Sequence, residues 1–217
     1  MQNKKLLIKN GLVIDPANKV KTKLDVLVED GKIKKLGKKL EADDAEIIDA
    51  KNKIVIPGII DMHTHLRVPG WGSVAAETRA AAKGGVTTMV AMPNTDPIAD
   101  SPSVIKHVYA RVKEEAVVNV YQAGSITKGG TKLAEMLKLK KAGALLFSDD
   151  GADVEDVDLM FLAMQYAKSH DLLLLCHCED HNLSANGALH EGWVSTQLGL
   201  PGIPATAEEE AVTRNIA

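Results

Sequence analysis

Aromatic side chains and cysteines are both scarce in this sequence of 217 residues. Phe, Trp and Tyr together make up 3% of the chain, which is too few for the stacking platforms that bind single-stranded nucleic acid. Cys176 and Cys178 lie two residues apart, a spacing that disfavours a mutual disulfide within a strand. The formal net charge is only −3. A disulfide scaffold and a basic nucleic-acid-binding protein are therefore both disfavoured.

Long hydrophobic runs are also missing from the chain. No apolar run approaches the roughly 20 residues that a membrane-spanning helix needs, and residues 1–5 lack the apolar core of a signal peptide. Hydrophobic residues make up 45% of the sequence and charged residues 25%, which is typical of a soluble globular protein. We expect no membrane partner and a cytoplasmic location.

Residues 1–56 predict a small antiparallel β unit. Short apolar pieces flank Asn10-Gly11 and Asp30-Gly31, and these pairs supply the positive φ angles of two-residue hairpin turns. Residues 1–40 contain eleven lysines and four acids, and residues 41–50 contain five acids. A polyanion site is one interpretation of this pattern. A solvated hairpin face balanced by an acidic segment is the simpler one.

Residues 57–217 alternate between strand and helix patterns. The pattern predicts strands over residues 54–65, 86–92, 117–126, 144–148 and 172–178, with helices over 75–83, 103–115, 131–141 and 156–169. This order favours a parallel sheet with helices on its faces, either an open doubly wound sheet or a (β/α)8 barrel. Thr206 and Glu209 are spaced as a capping box. The helix that they begin runs into Ala217 without a stop signal, so we expect a truncated fold.

The end of the first barrel-type strand contains the strongest candidate metal site. His63 and His65 are two residues apart, and because side chains alternate along a strand, both imidazoles point to the same side. Two imidazoles in that arrangement can bind one metal ion. Active sites of α/β proteins lie at the C-terminal ends of strands, which favours this interpretation over a chance pair.

Two further predicted strands end in metal-binding residue types. Asp149 and Asp150 end the fourth strand, where a carboxylate is costly to bury unless a cation relieves it. Their spacing does not decide which one faces the site. His177 ends the fifth strand, and alternation directs Cys176 and Cys178 away from it. A Cys-His-Cys site for a soft metal is the alternative.

Histidines and a carboxylate at neighbouring strand ends suit one or two divalent ions, zinc above all. Hydrolysis of a carbonyl compound is the reaction expected of such a centre. Two residues beside it suit substrate binding. Asn94 can both donate and accept hydrogen bonds, and Arg67 offers a fork for a carboxylate, although each is also an ordinary turn or surface residue.

Taken in order, these motifs resemble the dihydroorotases of the amidohydrolase superfamily, of the bacterial type with an aspartate as metal bridge. The matching segments are residues 57–67, 83–88, 92–95, 148–151 and 177–179. The resemblance covers the whole chain and marks it as an N-terminal portion. It implies an α/β fold, an incomplete (β/α)8 metal-dependent hydrolase barrel with about five of the eight βα units, preceded by the N-terminal part of a β-sandwich.

The resemblance also implies a role for each site residue. His63 and His65 would bind a first zinc ion, His177 a second, and Asp150 would bridge the two. Arg67 and Asn94 would hold the carboxylate of the substrate. The catalytic aspartate and a further histidine ligand are expected beyond residue 217. The implied reaction is the reversible hydrolysis of (S)-dihydroorotate to N-carbamoyl-L-aspartate in pyrimidine biosynthesis, and the implied partners are a second copy or aspartate transcarbamoylase.

One departure and two alternatives accompany the resemblance. The family commonly has Arg-Glu-Pro-Gly where this chain has Arg67-Val68-Pro69-Gly70. A related cyclic amidohydrolase, such as a hydantoinase or allantoinase, would share the histidine pair, but Arg67 and Asn94 favour a substrate with a carboxylate. The missing C-terminal ligands leave a non-catalytic dihydroorotase-like subunit as the second alternative.

Overall fold

The computed structural model describes residues 5–217. The chain divides into two compact units, Met1–Gly58 and Ile59–Ala217. Within the described residues, no helix combines the length and the apolar character that crossing a bilayer requires.

The first unit is a five-stranded mixed sheet. Its strands are β1 (Lys5–Asp15), β2 (Val20–Glu29), β3 (Lys32–Gly37), β4 (Glu46–Asp49) and β5 (Ile54–Val55). The strand order is β3-β2-β1-β4, and β5 also pairs with β1. β4 and β5 run parallel to β1, so the expectation of a purely antiparallel unit is wrong. The segment after β3 crosses the sheet instead of turning back, and buried Leu40 anchors it against Leu7 and Leu27.

The two Gly-containing pairs behave differently. Asp30-Gly31 joins β2 to β3 with φ angles of 50° and 74°, which confirms the predicted hairpin. The hairpin predicted at Asn10-Gly11 is wrong, because β1 continues through it. The pairing with β2 shifts register between Ile8 and Gly11, and Asn10 has a φ of 66°. The positive φ therefore serves a β-bulge, which the backbone N–H of Asn10 stabilises by donating to Oδ1 of Asp25 at 2.8 Å.

The second unit alternates strands and helices, which confirms the α/β class. Its strands are β6 (Ile59–Thr64), β7 (Val86–Ala91), β8 (Asn119–Gln122), β9 (Thr127–Lys128), β10 (Lys132–Leu133), β11 (Leu189–His190) and β12 (Gly202–Ile203). Its helices are α1 (Val74–Lys83), α2 (Pro102–Glu115), α3 (Met136–Ala142), α4 (Val157–Ser169), α5 (His181–Ser184), α6 (Trp193–Leu198) and α7 (Thr206–Ile216). β6, β7 and β8 form a parallel sheet in that order.

The sheet continues beyond β8 through single bridges. Phe147 pairs in parallel with Gly124 on one side and with Leu174 on the other. The predicted fourth and fifth strands therefore occupy neighbouring positions but are reduced to one bridging residue each. The chain leaves the extended conformation soon after Phe147, because Asp150 has a φ of 52° and begins a 3-10 turn, Asp150–Ala152. This turn determines where the Asp150 carboxylate points.

One predicted helix start and one predicted helix cap are wrong. Residues 131–141 do not form one helix, because β9 and β10 make a hairpin around Gly129-Gly130, whose φ angles are 64° and 70°. Helix α3 begins only at Met136. At α7 the N-cap is Ala205, with no side-chain cap, so the predicted capping box at Thr206 and Glu209 does not form. In both places a tertiary or turn preference outweighs a local sequence pattern.

The hydrophobic core lies around the strand ends that carry the polar residues. Phe147, 1% exposed, packs among the buried residues of α2, α3 and α4. A smaller buried cluster joins Val90, Met92, Ala123 and Leu146. Met92 immediately precedes the loop of Asn94, and Phe147 precedes the turn of Asp150, so tight packing holds both polar side chains in place.

Candidate metal centre

His63, His65 and Asp150 form a cluster of side chains with metal-ligand chemistry. The Nε2 atom of His63 lies 2.9 Å from Oδ1 of Asp150, and Nδ1 of His65 lies 3.9 Å from Oδ2 of the same carboxylate. One ligand atom of each residue lies within 4.8 Å of the other two. Within residues 5–217, this is the only such group of three His, Cys, Asp or Glu side chains.

Local backbone geometry brings these three residues together. The pleat at the end of β6 places the rings of His63 and His65 on one side, edge to face, with their centroids 5.3 Å apart. The positive φ of Asp150 turns its side chain back over the strand ends, and its backbone N–H donates to the hydroxyl of Ser148 at 2.9 Å. The Asp150 side chain is only 12% exposed. The centre therefore combines one strand end with one turn 87 residues later.

Asn94 connects two members of the cluster. Its Nδ2 donates to Oδ2 of Asp150 at 2.5 Å, and its Oδ1 lies 3.1 Å from Nδ1 of His65. An amide oxygen only accepts, so the proton of His65 is on Nδ1 and the lone pair is on Nε2. Such an outer partner orients a metal-binding imidazole and selects its tautomer. The sequence suggested Asn94 for substrate binding, but it did not indicate this contact.

Asp149 lies outside the cluster and fixes the neighbouring loop. Its Oδ1 accepts hydrogen bonds from the backbone N–H groups of Ile126 and Thr127 at 2.8 and 3.1 Å. The Thr127 hydroxyl donates to its other oxygen. Spacing in the sequence could not distinguish the two adjacent acids. The structure gives Asp149 backbone partners and gives Asp150 the histidines.

The chemistry of the donor set fits a divalent metal such as zinc. Tetrahedral zinc with ligand bonds of about 2.0–2.1 Å places neighbouring ligand atoms about 3.3 Å apart. Nε2 of His63 and Oδ1 of Asp150 are 2.9 Å apart, close to that value, and one ligand atom of each of the three residues lies within 4.8 Å of the others. Imidazole nitrogen and carboxylate oxygen are both common zinc ligands. His63 and His65 with Asp150 could therefore hold such an ion with small side-chain movements.

His177 has a different partner. Its Nε2 lies 2.8 Å from Oε2 of Glu179, and the pKa of Glu179 is lowered by hydrogen bonds from His177 and Ser184. His177 and His63 line one cavity of about 400 Å³, but His177 is not part of the three-residue cluster. Sequence reasoning did not assign Glu179 a role. Its His-x-Glu spacing was the available signal, because alternate residues of an extended segment lie on one side.

The two cysteines line the same cavity as His177. The expected alternation does not separate them from the histidine, because regular pairing in this segment ends at Leu174. Burial, together with the neighbouring Cys178, raises the pKa of the Cys176 thiol to about 11. In residues 5–217, Cys176, His177 and Cys178 do not form a group of three ligand atoms within 4.8 Å of one another, which disfavours the Cys-His-Cys alternative.

Arg67 contacts an aromatic ring next to it in the chain. Its guanidinium carbon lies 4.8 Å from the centre of the Trp71 ring, a cation–π contact. The loop turns so tightly that a Cβ on residue 72 would lie 1.7 Å from the carbonyl oxygen of Leu66, and only glycine fits there. In residues 5–217, no hydrogen bond or ion pair joins Arg67 to the cluster. Trp71 received no role from the sequence.

Comparisons with known proteins find similar sequences along nearly the whole chain. A family model described as "Dihydro-orotase-like" matches residues 52–217. The chain is 51% identical to a dihydroorotase of Pelotomaculum thermopropionicum over 218 aligned positions, covering 98% of this chain and 51% of that protein. It is 48% identical to a dihydroorotase of Geobacter sulfurreducens, covering 97% and 51%. The chain thus spans about half the length of the curated relatives it matches.

A solved structure shows a similar fold. The L-hydantoinase (dihydropyrimidinase) of Arthrobacter aurescens superposes with a TM-score of 0.77 at 21% identity, over 98% of this chain and 49% of that one. At this identity the likeness concerns the fold alone.

Proposed function

This chain belongs to the dihydro-orotase-like family, and we propose that it forms the metal-binding half of a dihydroorotase. The reaction is the reversible hydrolysis of the ring amide of (S)-dihydroorotate to N-carbamoyl-L-aspartate in pyrimidine biosynthesis, within the cytoplasm. The observation that supports it most directly is the convergence of His63, His65 and Asp150 in a chain 51% identical to a dihydroorotase.

The fold suits this assignment. In our proposal, residues 57–217 are about five βα units of a (β/α)8 barrel, and residues 1–56 are part of a β-sandwich. The parallel order β6-β7-β8 and the bridges at Phe147 support the barrel. The superposition on the L-hydantoinase is consistent with the same architecture. His63, Asn94 and Asp150 then lie at the C-terminal ends of the first, second and fourth barrel strands, where the active sites of barrel enzymes are found.

The proposed cofactor is zinc, two ions per site. His63, His65 and Asp150 would hold the first ion, with Asp150 shared by the second. His177 would contribute to the second ion through Nδ1 with Glu179 kept on Nε2, or through Nε2 after that contact is released. Bound zinc supplies Lewis-acid polarisation of the amide carbonyl and lowers the pKa of water.

The residues of the chain itself prepare the site. Asn94 keeps the proton of His65 on Nδ1 and holds one oxygen of Asp150. Asp149 fixes the loop after β8 beside the turn of Asp150. Arg67 offers a guanidinium fork for the carboxylate of dihydroorotate. That carboxylate is absent from an unsubstituted hydantoin, so Arg67 favours dihydroorotate.

Zinc binding and substrate preference together test the proposal. Equilibrium dialysis with zinc should show tight binding that His63→Ala and Asp150→Ala abolish, while His107→Ala, an exposed control on α2, leaves it intact. All turnover measurements use a complete dihydroorotase that carries this sequence as its N-terminal half, and the zinc-loaded enzyme is offered dihydroorotate, hydantoin and allantoin. Preferred hydrolysis of hydantoin or allantoin would support the related amidohydrolase instead. Zinc binding by that complete enzyme without any hydrolysis would support the non-catalytic subunit.

A further inference from the structure

Five lysines surround one cavity of about 730 Å³ in the first unit. They come from four separate segments of the chain, namely β1, β2, the segment after β3, and the turn between β4 and β5. The five are Lys9, Lys23, Lys38, Lys39 and Lys51. The unit therefore gathers onto one concave surface part of the lysine excess that the sequence shows in residues 1–40.

The charges of this lysine cavity are not balanced from within. Its lining contains five lysines and two acids, Asp25 and Glu41, which gives a net charge of +3 on a chain whose overall net charge is −3. Asp25 is 5% exposed and accepts hydrogen bonds from the backbone N–H groups of Asn10 and Leu40 at 2.8 and 2.9 Å. Across residues 5–217, none of the five lysines forms an ion pair.

Such an arrangement favours the binding of an anion. Like charges around one concavity repel, and a concave surface focuses their combined field inward. A solvated face would let the lysines spread apart on a convex surface, whereas here separate segments bring them to one depression. The structure therefore favours the anion-site interpretation over the simple solvated face.

The shape and chemistry of the cavity indicate the class of anion. A volume of about 730 Å³ lies within the range of small-molecule sites, about 300–1,000 Å³, and a concave site is a poor match for an extended polymer. Residues 5–58 contain no arginine, so no guanidinium group is available to form paired hydrogen bonds with a planar anion. Lysines act as point charges on flexible stems, which suits a flexible ligand with several charges.

We propose that this lysine cavity binds a small polyanion made of linked phosphate groups. Four exposed lysines, Lys23, Lys38, Lys39 and Lys51, surround the half-buried Lys9, so several ammonium groups can face successive phosphates of one chain. Binding should weaken strongly with salt, because exposed charges are screened. This site involves none of the residues of the candidate metal centre, so the two proposals can fail independently.

Isothermal titration calorimetry with inorganic tripolyphosphate tests the site. The double variant Lys23→Gln/Lys39→Gln removes two charges from the cavity. The matched control Lys21→Gln/Lys35→Gln removes two exposed charges from β2 and β3 that do not line it. We expect the cavity variant to bind about fivefold or more weakly, since exposed ion pairs each contribute a modest factor, and the control to differ less than about twofold. Thermal denaturation followed by circular dichroism verifies that both variants are folded.

Titrations with other anions show which chemical feature the cavity recognises. Equal affinity for tripolyphosphate and ATP would support recognition of the phosphate chain, and tighter ATP binding would support a nucleotide at the same site. The proposal is wrong if tripolyphosphate does not bind, or if both double variants lose affinity equally. It is also wrong if a 20-base-pair DNA duplex binds more tightly than tripolyphosphate and does so equally to both variants, because that outcome would indicate a general basic surface.

Discussion

The side-chain amide of Asn94 donates a hydrogen bond of 2.5 Å to Oδ2 of Asp150, across 56 positions of sequence. The same amide accepts from Nδ1 of His65 at 3.1 Å. One uncharged side chain thus sets the tautomer of a histidine and the orientation of a carboxylate. Asn94 therefore positions two residues of the candidate metal centre, in addition to its proposed role in substrate binding.

Asn94→Ala should weaken zinc binding without unfolding the chain. Loss of a partner that orients metal ligands typically reduces metal affinity by about 10–100-fold. Competition with a chromophoric chelator measures the dissociation constant, and Asn119→Ala, at an exposed position on β8, is the matched control. Unchanged zinc affinity in the Asn94 variant would show that the two hydrogen bonds do not support the centre.

Substitution of the two adjacent acids should affect different properties: zinc binding for Asp150 and mainly stability for Asp149. Asp150→Ala removes a cluster member and should abolish zinc binding and, in the complete enzyme, turnover; because alanine tolerates the positive φ of residue 150 less well, it should also lower the free energy of unfolding by about 1 kcal/mol. Asp149→Ala removes the acceptor of three hydrogen bonds from residues 126–127 and should lower the free energy of unfolding by about 2 kcal/mol or more. Urea denaturation and zinc titration on both variants separate the two roles. A larger loss of zinc affinity in the Asp149 variant would reverse our assignment.

Arg67→Ala should weaken the binding of a substrate that carries a carboxylate. Loss of a charge-assisted fork should raise KM for dihydroorotate by about tenfold or more, with a smaller change in kcat. Hydantoin has no carboxylate and provides the internal control. An equal rise of KM for both substrates would mean that Arg67 holds the loop rather than the substrate.

Trp71→Ala tests the ring under the guanidinium of Arg67. An exposed cation–π contact is worth about 0.5–1 kcal/mol, so KM for dihydroorotate should rise about two- to fivefold. Trp71→Phe keeps an aromatic face and should recover most of this loss. In an Arg67→Ala background the Trp71 substitution should have no further effect, and additive losses would contradict the proposed coupling.

Cys176 should resist alkylation at neutral pH. Its pKa is raised to about 11, so only about one thiol in a thousand is ionised at pH 8. In a Cys178→Ser variant, the rate of reaction with iodoacetamide should increase about tenfold per pH unit up to about pH 10. Mass spectrometry measures the modified fraction. Rapid labelling at pH 7 would show that this half-buried thiol is more accessible or more ionised than the structure indicates.

Local patterns in the sequence determined much of the secondary structure. The Asp30-Gly31 pair formed its hairpin because both residues accept positive φ and flank short apolar strands. Alternation of apolar strands and helices after Pro57 predicted the α/β class. The pleat of a strand was enough to place His63 and His65 on one side. All of these depend on residues close together in the chain.

Tertiary structure decided the features that depend on distant partners. Asn10-Gly11 has the same turn chemistry as Asp30-Gly31, yet it became a bulge because β1 pairs with β2, β4 and β5 along its length. Which of Asp149 and Asp150 joins the metal cluster depended on the loop after β8, because the backbone N–H groups of that loop bind the Asp149 carboxylate. The lysines met around one cavity because the crossing after β3 brought four segments together. No local pattern contains this information, since hydrogen bonds and burial between remote residues exist only once the chain has folded.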